Sequence, residues 1–285
     1  VGSTTIAGHL VDLSDGAVLA SEGVMNPQIR FGEDLMSRVS YAMLHPDGAA
    51  AMTRAVRAAV GKLVAGLAAR AGVPARDILE LAVVGNPIMH HLLLGLDPVP
   101  LGSAPFTLAT DEALETGAAE IGVRAHPGAR VYVLPCIAGH VGADTAGVIL
   151  AEQPERGAGV HLVVDVGTNA EIVLGRDGRL LAASSPTGPA FEGAQISGGQ
   201  RAAPGAIERV RIDPATLEPR FRVIGCPLWS DEPGFAGAVA GVGVTGICGS
   251  GIVEVMAQLF LAGVVSADGV IDGDLAARTA RIVPD

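Results

Sequence analysis

The chain has 285 residues, enough to bury a core in one large or two medium domains. Nearly half of them (49%) are hydrophobic but only 3% aromatic, with 39 Gly and 18 Pro, a profile of aliphatic strands and tight turns that excludes a disordered chain and favours an α/β protein. A net charge of −11, with no run of Lys or Arg, excludes the basic stripe that a phosphate backbone needs, so no nucleic acid is expected as a partner.

Thr4 to Leu13 alternates small or polar with apolar residues, Ser14-Asp15-Gly16 turns, and Ala17 to Ala20 returns. A β-hairpin therefore opens the chain, with no signal peptide expected ahead of it. Gly32 to Leu44 carries helix-spaced Leu35, Val39 and Met43, and Ala49 to Ala71 reads as a long Ala-rich helix stopped by Gly72 and Pro74. Leu79 to Val84 reads as a buried strand, followed by Gly85-Asn86-Pro87 and a short helix through His91 to Leu94. Val131 to Leu134 is a further strand, leading through Pro135 and Gly139 into a helix at Ala143 to Leu150. About 160 residues after the opening hairpin, His161 to Leu174 repeats its layout of strand, Gly-containing turn and strand, with a second turn at 176–179 and a return strand from Leu180 to Ser184. Alternating strands and helices, given twice, predict two sheets with helices on their faces.

The longest apolar stretch, Ala236 to Val265, contains six glycines between Gly237 and Gly251 as well as Glu254. Turns suit that density better than a lipid-facing helix, so no membrane association is expected. Cys136, Cys226 and Cys248 lie far apart without C-x-x-C spacing, so they provide neither a disulfide framework nor a cluster or zinc ligand set. They are expected as buried apolar groups in a reducing, cytoplasmic setting.

Asp165-Val-Gly-Thr-Asn169 ends a strand and turns directly into another, presenting backbone N–H groups and side-chain donors to an anion. Asp165 suits a metal ion, held directly or through water, while Gly167, Thr168 and Asn169 suit phosphate oxygens. Gly2-Ser3-Thr4-Thr5 is the equivalent first turn. An ordinary hairpin turn explains either copy alone, but two copies in equivalent places favour a phosphate site. Gly246 to Glu254 is a Gly-rich turn entering a helix; there Gly249, Ser250 and Gly251 suit an adenosine, although the Rossmann spacing and the Walker lysine are both missing.

Two phosphate turns followed by an adenosine turn resemble the acetate and sugar kinase, heat-shock chaperone and actin superfamily. Within it the chain resembles the reductive activators of corrinoid-dependent methyltransferases, ferredoxin-like proteins with an ATPase-type C-terminal half. That resemblance is carried by Asn26-Pro-Gln28 with Gly32-Glu-Asp34, by the string from Gly85 to Pro98 and by Gly142-Ala-Asp144. It continues through Asp165 to Glu171, Gly188 to Ala194, Arg201-Ala202 with Gly205-Ala-Ile207, and Gly246 to Gly251.

The resemblance implies a duplicated actin-like ATPase (ribonuclease H-like) α/β fold, with subdomains at 1–158 and 159–285, each a central mixed sheet flanked by helices. It implies ATP and Mg²⁺ as ligands, a corrinoid protein as partner, a homodimer as one possible assembly, and use of ATP to drive Co(II) corrinoid to Co(I). Such activators resemble one another in an N-terminal [2Fe-2S] domain and a final helix, neither of which is in this sequence, so a fragment is expected. Asp144 is the candidate for positioning Mg²⁺ or the attacking water, against a plain helix first-turn carboxylate. Glu192 is a candidate ribose contact or a surface residue, and His90 and His91 are packed or capping groups or a metal or corrinoid contact. A small-molecule kinase of the same superfamily and a non-catalytic actin-like assembly protein are the rival readings.

Overall fold

The computed structural model describes residues 1–167, 169–188, 196–277 and 279, without the side chain of residue 276. Two compact units divide the chain: Val1–Asp165 with Glu171–Ser185, and Val166–Ala170 with Pro186–Asp285.

In the first unit, β1 (Thr5–Val11) and β2 (Val18–Met25) form the opening antiparallel hairpin, with Thr5 opposite Met25 and Ile6 opposite Val24. The expected helix from Gly32 begins later, as α1 (Leu35–Leu44), because the Asp34 carboxylate accepts from the Ser37 amide and Ser37 in turn binds back to the Asp34 amide. This reciprocal cap fixes the start of the helix. α2 (Gly48–Ala71) buries Met52, Val56, Val60, Leu63 and Leu67, spaced three or four apart, against the hairpin and the rest of the core. Each such side chain contributes about 1.5–3 kcal/mol on burial. Gly72 ends α2 at φ 67°, a left-handed position that glycine occupies without strain.

β3 (Glu80–Val83), β4 (Leu114–Gly117) and β5 (Arg130–Val133) form a mixed sheet with β5 in the middle, parallel to β3 and antiparallel to β4. α3 (Pro87–Leu94) follows β3, with Asn86 capping its start and Gly95 its end. α4 (Ala143–Glu152) leads to β6 (His161–Val166), β7 (Asn169–Arg176) and β8 (Arg179–Pro186), which make a third sheet in that order. β4 was not expected from the sequence.

In the second unit, β9 (Ala206–Ile212) lies between antiparallel β10 (Pro219–Val223) and parallel β11 (Gly246–Ile247). α5 (Phe235–Val239) precedes β11 and α6 (Gly249–Leu261) follows it, so the apolar stretch from Ala236 is broken into short elements. On α6, Glu254 accepts from the Val210 amide and Gln258 from the Ile212 amide, pairing backbone donors that β9 would otherwise leave open. No helix among the described residues is long and apolar enough to cross a membrane.

Candidate functional site

The first turn is fixed by groups arriving from three other segments. The Gly2 amide donates to the Thr5 carbonyl at 2.9 Å, and a Cβ on Gly2 would stand 2.7 Å from that same oxygen, so the turn requires glycine there. Asn26 Nδ2 donates to the Gly2 carbonyl at 2.8 Å, and its backbone amide to the Thr4 carbonyl at 2.8 Å. Arg38 Nη2 donates to the Ser3 carbonyl at 2.5 Å, and Asn86 Nδ2 to the Ser3 hydroxyl oxygen at 2.8 Å. Asn26 and Arg38 are fully buried. Thr4 and Thr5 continue the turn into β1, with Thr5 exposed.

Asp144 belongs to the same neighbourhood. Its amide and that of Ala143 both donate to the Gly85 carbonyl, which seats the start of α4 on the segment containing Asn86. A Cβ on Gly142 would lie 2.5 Å from Asp144 Oδ1, 2.6 Å from the Asn86 Cα and 2.8 Å from the Gly85 carbonyl oxygen, so only glycine permits this approach. Burial pushes the Asp144 carboxyl above the usual range and the Asp165 charge adds to it, opposed by the Thr145 amide and the Val1 ammonium. Glu171 on β7 accepts from the Ser184 hydroxyl at 3.1 Å, and it too is pushed up, first by burial and then by the charges of Asp144 and Asp165. Burial is thus the main cause at both Asp144 and Glu171, with a smaller addition from the charge of the exposed Asp165, and a nearby cation would offset that added charge.

Among the described residues no three His, Cys, Asp or Glu side chains converge as a preformed metal cage. Mg²⁺ needs none, since it commonly takes one or two carboxylates plus waters and phosphate oxygens. Asp144 and Asp165 are carboxylate donors of the kind Mg²⁺ takes in that way.

In the second turn, the Gly167 amide donates to the Asn169 carbonyl at 2.9 Å and the Thr187 hydroxyl to the Gly167 carbonyl at 2.6 Å. Thr168 and Glu192 lie outside the described residues. In the second unit, the first turn of α6 is close-packed: a Cβ on Gly251 would stand 2.4 Å from the Ile207 carbonyl oxygen, while Ser250 is exposed at the helix start beside Gly249. His90 and His91 are both buried. His91 Nδ1 lies 2.8 Å from the Pro87 carbonyl and its Nε2 accepts from the Ala109 amide at 3.0 Å, a packing role, whereas neither ring nitrogen of His90 has a partner among the described residues.

Arg38, Asn26, Asn86 and Glu171 were not singled out as site residues. Asn26 and Asn86 each precede a proline, which marks an N-cap with Pro at the first helical position. Arg38 stands three residues after Leu35, on the apolar face of its helix, and a charge there signals a buried polar role.

Strand–turn–strand hairpins and a glycine-rich helix start are elements of the actin-like, ASKHA class of fold. Comparison with known families makes this specific. Residues 1–156 match the model of the RACo middle region, and residues 159–284 match that of the C-terminal domain of RACo, the ASKHA domain. The chain belongs to the RACo family. It is 32% identical over 275 residues to the corrinoid activation enzyme RamQ of Eubacterium limosum, covering 96% of this chain and 43% of that protein. Over 141 residues it is 33% identical to the [Co(II) methylated amine-specific corrinoid protein] reductase of Methanosarcina barkeri, covering 45% of this chain and 25% of that one. A solved structure of a reductive activator for corrinoid, iron-sulfur protein superposes with a TM-score of 0.79 at 35% identity, covering 99% of this chain and 42% of the other. The chain thus spans about two fifths of the length of the RamQ relative and of the solved activator, and matches a quarter of the length of the reductase.

Proposed function

We propose that this chain is the ATP-binding part of a protein that reductively reactivates Co(II) corrinoid proteins to Co(I). The observation that carries the reading is the continuous match to the RACo middle and ASKHA regions, together with a braced first turn beside Asp144. The subdomain division is taken at 158/159. Gly2, Ser3, Thr4 and Thr5 hold one part of the phosphate chain, and Gly167, Thr168 and Asn169 another. Gly249, Ser250 and Gly251 lie against the adenosine, with Glu192 at the ribose. Asp165 binds Mg²⁺ directly or through water, and Asp144 orients that ion or the attacking water. When bound, Mg²⁺ would neutralise phosphate charge.

Reduction to Co(I) is difficult for ordinary donors, so ATP binding and hydrolysis are coupled to a conformational change in the complex with the corrinoid protein. Electrons come from a [2Fe-2S] domain that is not part of this chain, and the setting is cytoplasmic, with a homodimer as one possible assembly. Calorimetry tests the nucleotide part. Mg-ATP should bind the full-length protein, and Asp165→Ala should weaken it by about 1–3 kcal/mol for the lost charge-assisted contact. Equal affinity in both would remove Asp165 from the site.

A further inference from the structure

The C=O and N–H of a trans peptide point in opposite directions. In the first turn the Gly2 carbonyl is taken by Asn26 Nδ2 and the Ser3 carbonyl by Arg38 Nη2, so the Ser3 and Thr4 amides of those same peptide units are turned away from these buried groups. Neither amide donates to any group among the described residues. Two open backbone donors thus stand side by side, the arrangement that favours an anion.

Arg38 adds charge to this geometry. It is fully buried and donates to the Gly32 carbonyl at 2.9 Å, to Gln28 Oε1 at 3.2 Å, to Met89 Sδ at 2.8 Å and to the Ser3 carbonyl. No carboxylate accepts from it among the described residues; Asp34 acts only through space. Burial lowers the guanidinium to about 10, which still leaves it ionised at neutral pH. A buried cation without a hydrogen-bonded counter-ion is costly unless an anion arrives to share its field.

We propose that Arg38 is a positioning residue for the anionic end of the ligand: through the Ser3 carbonyl it directs the Thr4 amide outward, and it places a buried positive charge behind the turn. This deepens the nucleotide reading and rests on it. A brace that served the fold alone would show no preference among ligands. The ratio of ATP affinity to adenosine affinity in the full-length protein separates the two roles.

Arg38→Met should lower ATP affinity on the order of tenfold to a hundredfold while leaving adenosine within about twofold, so the ratio falls. Should that variant fail to fold, Arg38→Lys carries the test. It keeps the charge, but a tetrahedral ammonium cannot hold the Gly32 and Ser3 carbonyls together as the planar fork does, so the ratio should fall about threefold to tenfold. A wild-type ratio in the folded variant would overturn this proposal alone. Failure of the wild-type protein to bind ATP would remove the nucleotide reading and this proposal with it.

Discussion

Replacing Gly142 with alanine offers a sharp test of the site's construction. Gly142 has φ −87° and ψ −176°, which any residue adopts, so the effect is purely steric. The added methyl would meet three atoms within 2.8 Å, two of them backbone of Gly85 and Asn86 and the third the Asp144 carboxylate. Backbone cannot move aside as a side-chain end can, which puts the strain near the upper end of overpacking costs, about 3 kcal/mol. Restricting the unfolded chain returns up to about 1 kcal/mol, leaving a net loss of about 2 kcal/mol. For a chain of this size that corresponds to a melting temperature roughly 3 °C lower. Calorimetry should also show weaker Mg-ATP binding, since the displaced groups carry Asp144 and the Asn86 that holds Ser3. The control is Gly61→Ala inside α2, where the nearest atom to a new Cβ is the Gly122 carbonyl oxygen at 3.6 Å. There the helix should gain about 0.5–1 kcal/mol. If Gly142→Ala stabilises the protein as Gly61→Ala does, the close seating of α4 on the Asn86 segment is wrong.

Asp144→Asn should separate stability from function. Because burial, with Asp165 adding, raises the folded carboxyl, folding favours its protonated form; this stabilisation is complete below the ordinary Asp value of about 3.9 and is lost as pH rises through the folded value. The amide, neutral throughout, should therefore raise the melting temperature at pH 7–8 but not in acid, while weakening Mg-ATP; equal melting temperatures at every pH would contradict the charge repulsion. His90→Leu removes two buried ring nitrogens that have no partner among the described residues and should add about 1–2 kcal/mol at pH 7. The wild-type ring, held down to about 4 first by burial and then by His91, contributes stability that is present above the ordinary His value and lost as pH falls toward 4; urea midpoints across that range should show the acid loss shrinking in the variant. An unchanged or lowered midpoint at pH 7 would mean that the ring makes a favourable contact.

What the sequence made legible was local. α2 declares itself by apolar spacing and its Gly72 stop, and β3 by a short apolar run before Gly85-Asn86-Pro87, where the cap chemistry lies within a few residues. The start of α1 was less clear because the Asp34–Ser37 cap competes with an acidic segment that also looks helical from Gly32. β4 and β11 have only four and two residues and exist because β5 and β9 lie alongside them, a long-range pairing that no local pattern encodes. β9 and β10 put Arg209 opposite Arg222 and Arg211 opposite Arg220, offset by Glu254, Glu208 and Asp231, so their charge hides the usual strand alternation. The site shows the same division. Gly2 to Thr5 and Asp144 were visible as motifs, whereas the buried bonds from Asn26 and Arg38 to the first turn join segments more than twenty residues apart.

Whether this region lets ATP drive corrinoid reduction is decided by following the cobalt spectrum of a Co(II) corrinoid protein mixed with the full-length protein and a reductant. Co(I) should form on addition of Mg-ATP, and Asp165→Ala should slow it. Co(I) forming at the same rate without nucleotide, or no Co(I) with any corrinoid protein encoded nearby while a small carboxylate or sugar is phosphorylated, would contradict it.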